Sequence, residues 1–437
     1  MLPLGARVAM IGDSIVQAAA ASSGADGKSL YNVDKGELVL AQALLPAFRC
    51  EVWNDPADAR AGRHHGGALQ GISGQEAWQM DDRFAADVLS LRPHAVVIAG
   101  GTNNLTSASA PRTVIASLRS MCEKALAAGA RPVLTTIRPW ASATPTGGSV
   151  SGNTATKREA FGPLNAAIRA YAASTGGAVA LCDLAAAYGA PGDFAYAPVD
   201  YFSDGLHPVQ KGAWAGAKAL RDTLAGLIEP GHWFAAAHPR PAGILTEAQA
   251  HLSGGTGGGK AGAVTGTVPS GLNLWSGAAS PSVAALLDNP ATGGKSLALT
   301  VTAQGTANAE TWPITLASNP NGAGALPDAH VMAWAEVEFD AWPAWAGAYL
   351  TLTQVPSVGR QAVAHKPIGN GTPHAAEPRR LLLATPPLRL DATATAVAPQ
   401  IVVGARPNGA TGTSGTVTVH RWWVGVVPDP RTVWTAA

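Results

Sequence analysis

The stretch Val8-Ala9-Met10-Ile11-Gly12-Asp13-Ser14 decides how this chain is read. Four apolar residues form a short strand that runs straight into Gly-Asp-Ser, so Ser14 stands at the carboxyl end of a first β-strand, where an α/β sheet exposes reactive groups. A serine hydroxyl is a weak nucleophile at neutral pH. It needs a base, a group that orients the base, and donors for the developing oxyanion.

The base and its partner are found in Ser203-Asp204-Gly205-Leu206-His207-Pro208. An acid three residues ahead of a histidine on a tight turn can accept from the imidazole Nδ1–H and so aim Nε2 at the serine, which makes Asp204 the orienter and His207 the base. Gly205 allows the turn, and Pro208 suits the start of a helix near Val209. The chain order Ser, Asp, His is one of several that converge on this geometry. Asp13 is a neighbour of Ser14 in sequence and reads as a loop residue that bonds backbone.

Oxyanion donors are expected from loops at the same sheet edge. The apolar run Ala95–Ala99 ends in Gly100-Gly101-Thr102-Asn103-Asn104, whose glycines permit close approach and whose Asn103 amide can donate. Gly71-Ile72-Ser73-Gly74 offers the Gly74 N–H, and Ser14 offers its own.

From Arg7 to about Ile228 short β-rich runs alternate with helical stretches. The strands are read at Val8–Ile11, Glu51–Trp53, Ala95–Ala99, Pro132–Ile137 and Ala178–Cys182, with helices at Glu37–Leu45, Arg112–Ala128, Lys157–Ala173 and Val209–Ile228. Five strands with crossover helices predict a flavodoxin-like, doubly wound α/β sheet. After Ile228 the texture shifts to Pro, His and Gly, then to a Gly-rich segment from Ser253 to Gly271 that reads as either a linker or, the favoured option, a glycine-rich first strand. Beyond it Leu297, Leu299 and Val301, then Val331 to Phe339 and Val417 and Val419, alternate with period two. That pattern predicts an all-β sandwich, jelly-roll-like, and a division into domains 1–245 and 246–437.

The four stretches, in this order, resemble the four sequence blocks of the SGNH hydrolase family, also called GDSL esterases and lipases: Ser14 in the first, Gly74 in the second, Asn103 in the third, Asp204 and His207 in the fourth. The resemblance covers about residues 7–228. It implies a three-layer α/β/α fold that hydrolyses carboxylic esters through the Ser14–His207–Asp204 triad, with Ser14, Gly74 and Asn103 as oxyanion hole and with neither metal nor cofactor. Two departures stand out: the family's block-three aspartate is Asn104 here, and Asn54 is followed by an insertion from Asp55 to Gln70. The carboxyl-terminal half loosely resembles carbohydrate-binding sandwiches attached to polysaccharide-active enzymes and phage tail proteins.

Composition narrows the partners. A formal net charge of +1 over 437 residues, with no Lys/Arg run, argues against nucleic acid or an anionic membrane, and no apolar run is long enough to cross a bilayer. A neutral acylated carbohydrate or small ester fits better. Met1 to Arg7 leads directly into the first strand without a signal-type segment, while the pairing of esterase and sandwich favours extracellular or virion-associated action. Cys50, Cys122 and Cys182 lie far apart and read as buried free thiols. Arg60, Arg63, His64 and His65 in the insertion read as a solvated loop near the mouth of the site, since adjacent histidines point apart and no carboxylate or cysteine stands at ligand spacing. Of the many tryptophans in the second half most read as sandwich core, while Trp342 and Trp345 sit in a turn-like stretch and are candidate sugar platforms. The function expected is removal of acetyl groups from a carbohydrate by an acyl-enzyme route, with activity that rises with pH as His207 deprotonates. Alternatives are a lipid-ester or thioester hydrolase, and a glycan-binding or phage-tail structural protein whose hydrolase domain is incidental.

Overall fold

The computed structural model describes residues 1–19, 35–53, 66–105, 110–150, 152–238, 244–278, 280–304, 312–318, 327–355, 362–368, 379–405 and 410–435. Residue contacts divide the chain into two compact units, one formed by the described residues up to 233 together with Pro430–Thr435, the other by those of 234–429.

The first unit is built on strands β1 (Ala6–Gly12), β2 (Phe48–Arg49), β3 (Val52–Trp53), β4 (Gly66–Gly67), β5 (Leu69–Gly71), β6 (Ala95–Ala99), β7 (Arg131–Thr135) and β8 (Ala180–Cys182). Its main sheet is parallel throughout, in the order β2-β1-β6-β7-β8, with β5 also on β1. This is the doubly wound order, and the chain reverses its winding between β1 and β6. Helices α1 (Ser14–Gln17), α2 (Glu37–Leu44), α3 (Ala77–Asp87), α4 (Ala110–Ala127), α5 (Ala155–Ser174), α6 (Leu184–Ala187) and α7 (Gln210–Ala225) complete it. α3 packs on α4 and α4 on α5, while α2 and α6 pack on α7, so two helical layers enclose the sheet. Val8, Ala9, Ile11 and all of Ala95–Ile98 are fully buried, as a strand covered on both faces requires.

One strand reading changes. Glu51–Trp53 was expected in the parallel sheet, but Val52–Trp53 pairs antiparallel with Gly66–Gly67, and the edge beside β1 is shared by Phe48–Arg49 at one end and Leu69–Gly71 at the other. The register Gly12↔Gly71 and Gly12↔Ala99 brings three strands to an end at one level. Gly12 and Gly71 leave room there for α1: a Cβ on Gly71 would lie 2.1 Å from the Gln17 nitrogen, and one on Gly12 2.3 Å from a Val16 methyl. The last helix of the chain, Pro430–Thr435, belongs to this first unit and not to the carboxyl-terminal domain in which 246–437 would place it. Its Trp434 is fully buried, 6.4 Å from the Trp53 ring, and donates through Nε1 to Glu51 Oε2 at 3.0 Å. All three cysteines are free and buried, and burial pushes the Cys122 and Cys182 thiols up to about 12.

The second unit is rich in strands: β9 (Gly257–Gly262), β10 (Val264–Gly266), β11 (Val268–Ser276), β12 (Ser282–Asn289), β13 (Gly294–Thr302), β14 (Trp312–Ser318), β15 (His330–Phe339), β16 (Trp345–Val355), β17 (Ala362–Ile368), β18 (Arg379–Ala384), β19 (Leu388–Arg389), β20 (Ala396–Ala405) and β21 (Ser414–Val427). They make a seven-stranded sheet, β10-β12-β13-β21-β15-β18 with β19 on β15, and a six-stranded sheet, β17-β16-β20-β14-β11-β9. The glycine-rich segment is thus strand and not linker: β9 lies along β11 and β10 along β12. The apolar side chains expected to face inward are buried, Leu297, Leu299 and Val301 in the larger sheet, Leu350, Leu352, Ile401 and Val403 in the smaller.

Candidate active site

Ser14 is the first residue of α1, one residue after Asp13, which caps the helix by accepting the Ile15 N–H at 2.9 Å. The Asp13 side chain is buried, and burial raises its carboxyl above the ordinary value although the Ile15 N–H, Arg138 and His207 pull the other way. Asp13 is therefore a backbone-bonding corner residue, as its adjacency to Ser14 predicts.

Across the sheet edge, the 203–208 turn brings His207 to the serine. His207 Nε2 lies 2.8 Å from Ser14 Oγ, and His207 Nδ1 lies 2.7 Å from Asp204 Oδ2. The other carboxylate oxygen of Asp204 accepts the main-chain N–H groups of Leu206 at 2.9 Å and His207 at 2.8 Å. Burial alone would raise Asp204, but these two N–H donors and the His207 ring outweigh it and hold the carboxyl below its ordinary value. An ionised Asp204 only accepts hydrogen bonds, so Nδ1 carries the imidazole proton and Nε2 presents its lone pair to the serine hydroxyl.

The turn is closed by the Ser203 N–H donating to the His207 carbonyl at 2.9 Å. Gly205 takes φ +87, and a Cβ there would fall 2.3 Å from a Val150 methyl, so the tight loop needs glycine for both conformation and space. Its carbonyl accepts the Ala141 N–H at 2.8 Å, which ties the turn to the buried cluster of Ala141, Tyr188, Ala197 and Phe202.

The two remaining loops meet each other. Asn103 stands on a 3₁₀ turn, Thr102–Asn104, after β6, and its Nδ2 donates to the Gln75 carbonyl at 2.9 Å. That bond uses one of two amide hydrogens and fixes the direction of the other. Gly74, at φ +76, precedes Gln75 on the loop after β5, where the Ile72 N–H donates to the Gly12 carbonyl at 3.2 Å. Asn104, where the family has an aspartate, braces the two loops: its Oδ1 accepts the Ala77 N–H at 2.8 Å and its Nδ2 donates to Glu76 Oε2 at 3.0 Å. As an amide Asn104 can donate to the neighbouring Glu76 carboxylate, which an ionised aspartate could not.

The sequence reading passed over Gln75 and Glu76. The signal was present for Glu76, since Glu76-Ala77-Trp78-Gln79 carries acceptors at both ends of a capping box, and the structure makes both of its bonds. Trp342 and Trp345 are not exposed platforms. They are 5% and 1% exposed, stacked edge-on at 4.9 Å, with indole N–H groups donating to Thr413 Oγ1 and Asp340 Oδ1. Arg60, Arg63, His64 and His65 lie outside the described residues.

The fold and this constellation define a parallel-sheet α/β hydrolase domain. Residues 10–215 match the model of the GDSL-like lipase/acylhydrolase family, and the amino-terminal domain of the chain belongs to it, a GDSL-type esterase or acylhydrolase. Among solved structures the chain is similar to a GDSL-like lipase from Bacteroides thetaiotaomicron, with 22% identity over 51% of this chain and 86% of that one at a TM-score of 0.32. It is also similar to a catalytic mutant of an acetylxylan esterase from Geobacillus stearothermophilus, with 19% identity over 51% and 95% and a TM-score of 0.36. A third is an alpha/beta hydrolase enzyme from the metagenome of Lake Arreo, with 20% identity over 52% and 98% and a TM-score of 0.37. A search of curated proteins gives no match.

Proposed function

We propose that the domain is a serine esterase that removes short acyl groups, acetyl foremost, from a carbohydrate. The observation that carries the reading is the continuous line from Asp204 Oδ2 through the imidazole to Ser14 Oγ, at 2.7 and 2.8 Å. Ser14 Oγ attacks the ester carbonyl while His207 Nε2 takes its proton, and the oxyanion is received by the Ser14 and Gly74 N–H groups and the free amide hydrogen of Asn103. His207 then gives the proton to the departing sugar oxygen, leaving acetyl on Ser14. Water, deprotonated by His207, attacks that ester, and as the acyl–serine bond breaks His207 returns the proton to Ser14 Oγ and acetate leaves.

Two exposed aromatic rings support a sugar leaving group. Trp78, 53% exposed, donates its N–H to Glu76 beside the oxyanion loop. Tyr196, 45% exposed, accepts from Asn153 one residue before Ala197, whose neighbour Ala141 bonds the Gly205 turn. Flat rings with polar partners suit the mixed apolar and hydroxylated faces of pyranoses. The test compares acyl release from p-nitrophenyl acetate and longer homologues by the wild type and Ser14→Ala, followed by acetate release from acetylated polysaccharides. Loss of turnover in the variant with preference for acetate supports the reading. Preference for long chains moves it to a lipid esterase, and equal turnover in both proteins overturns the triad.

A further inference from the structure

Arg83 lies on α3, well away from the triad in sequence, with its side chain only 12% exposed. Its guanidinium makes four directed bonds. Nη2 donates to the carbonyls of Gly12 at 3.2 Å and Gln70 at 2.8 Å, Nε donates to Gln75 Oε1 at 2.7 Å, and Nη1 meets Asp87 Oδ2 at 3.2 Å. The carboxylate of Asp87 is itself 2% exposed and four residues on, so the guanidinium is held in place from its own helix.

The three acceptors other than Asp87 flank the oxyanion loops. Gly12 ends β1 and is two residues from Ser14. Gln70 is in β5, one residue before its end, and leads into Gly74. Gln75 follows Gly74 and accepts the Asn103 amide on its main-chain oxygen. A single planar group therefore ties together the chain segments that carry the Ser14 N–H, the Gly74 N–H and the Asn103 side chain.

We propose that Arg83 is a positioning residue that sets the spacing of the three oxyanion donors, acting through Gly12, Gln70 and Gln75 without touching substrate. This rests on the assignment of those donors above. Only arginine serves here, because its rigid fork reaches acceptors in several directions whereas lysine is a point charge with one reach. A donor misplaced by about 1 Å costs on the order of 100-fold in rate, and loss of one donor about 100- to 1,000-fold. The four bonds described for Arg83 go to Gly12, Gln70, Gln75 and Asp87, on the oxyanion loops and its own helix.

The experiment measures Arg83→Ala, Arg83→Lys and Gln75→Ala beside wild type and Ser14→Ala on p-nitrophenyl acetate, with circular dichroism to check folding. Arg83→Ala and Arg83→Lys are expected to lower kcat by about 100-fold with KM within threefold and the pH midpoint of kcat/KM unmoved. Gln75→Ala is expected to lose about tenfold, and affinity for a methylboronate that mimics the tetrahedral oxyanion falls in parallel with kcat. Added guanidinium at sub-denaturing concentration restores part of the Arg83→Ala activity, and ammonium does not. A purely structural role would lower the folded fraction and leave kcat per folded molecule and boronate affinity unchanged, which overturns the proposal. Where Arg83→Ala fails to fold, Arg83→Lys and Gln75→Ala decide in the same way. An active Ser14→Ala refutes the triad itself, whereas an inactive Ser14→Ala beside fully active Arg83 variants refutes only the role of Arg83.

Discussion

Replacing Asp204 by Asn separates what its charge does from what its shape does. Asp204 Oδ1 accepts two main-chain N–H groups while Oδ2 faces His207 Nδ1. An asparagine satisfies one side only. If its oxygen keeps the Leu206 and His207 N–H groups, its NH₂ faces Nδ1, which must then accept, and the proton moves to Nε2, where it blocks the serine. If it flips to keep the productive tautomer, two N–H groups face a donor, which costs about 1–3 kcal/mol. The lost charge adds a second penalty. Opposite unit charges about 4 Å apart interact by roughly 1 kcal/mol in water and roughly 4 kcal/mol near a protein surface. The Asp204 side chain is 51% exposed, so screening places the imidazolium stabilisation between these, about 2 kcal/mol. Together, about 3–5 kcal/mol, they predict a fall in kcat/KM of about 150- to 4,000-fold, at about 1.4 kcal/mol per decade. The assay is p-nitrophenyl acetate hydrolysis at a pH where wild type is fully active. A loss below tenfold, in a folded variant, refutes the view that Asp204 fixes the tautomer; a loss beyond about 10,000-fold refutes the screening argument. Because the folded state holds Asp204 below its ordinary value, its contribution to stability is complete above the ordinary aspartate value of 3.8 and disappears as pH falls through the lowered value. Wild type and Asp204→Asn should therefore differ in stability at neutral pH and converge in strong acid, as measured by thermal unfolding.

Other expectations follow from the same contacts. Asn104→Asp restores the family's residue but sets a carboxylate where Nδ2 now meets Glu76 Oε2 at 3.0 Å. It should destabilise by about 1–3 kcal/mol in urea unfolding at neutral pH, less as acid protonates the pair, and Glu76→Gln in the same chain should recover the loss. Trp345→Ala should cost about 3–5 kcal/mol, because a side chain 1% exposed leaves a cavity; a change below 1 kcal/mol would return it to the surface. Ser296→Ala should leave ester hydrolysis within twofold of wild type, although Ser296 Oγ is hydrogen-bonded to a histidine; a large loss would mean that turnover occurs there.

Chemistry was legible where it is written locally. A strand, a Gly-Asp-Ser corner and an Asp-x-x-His turn each need only adjacent residues, and Ser14, Asp204 and His207 meet in the geometry their spacing implies. Partners distant in sequence were not legible. β-Propensity in Glu51–Trp53 says nothing of which strand it will join, and α3 escaped notice because its core stripe is only Ala77, Met80, Phe84 and Asp87 in a polar run. The Trp342–Trp345 turn looks exposed from its own residues. It is buried because Gly415 gives Trp342 room, a Cβ there falling 2.5 Å from that side chain, and because Asp340 and Thr413 take the indole protons. Arg83 gives no motif at all, since two of its acceptors are the backbone carbonyls of Gly12 and Gln70, which any residue supplies, and its side-chain acceptors Gln75 and Asp87 are ordinary polar residues on the same loop and helix.

The second unit holds an instructive contrast. Ser296 Oγ lies 3.1 Å from His420 Nδ1, and His420 Nε2 lies 2.8 Å from Glu338 Oε2, close to the corresponding distances of Ser14, His207 and Asp204. The chemical groups agree as well, with Glu338 in place of an aspartate and the two ring nitrogens exchanged. What differs is where the chain puts the serine. Ser296 is inside β13, paired with Leu287 and 4% exposed, so its backbone belongs to the sheet ladder and an ester carbonyl has no approach to its hydroxyl. Ser14 follows the end of β1, at the point where the sheet reverses its winding and the loops after β5 and β6 converge. There the main chain has left the ladder, and in the proposed mechanism Gly74 and Asn103 bring donors to the far side of a bound carbonyl. A hydroxyl, an imidazole and a carboxylate in line supply proton transfer alone. The strand end supplies the place where the negative charge can be received, and that second requirement separates a reactive serine from a hydrogen-bonded one.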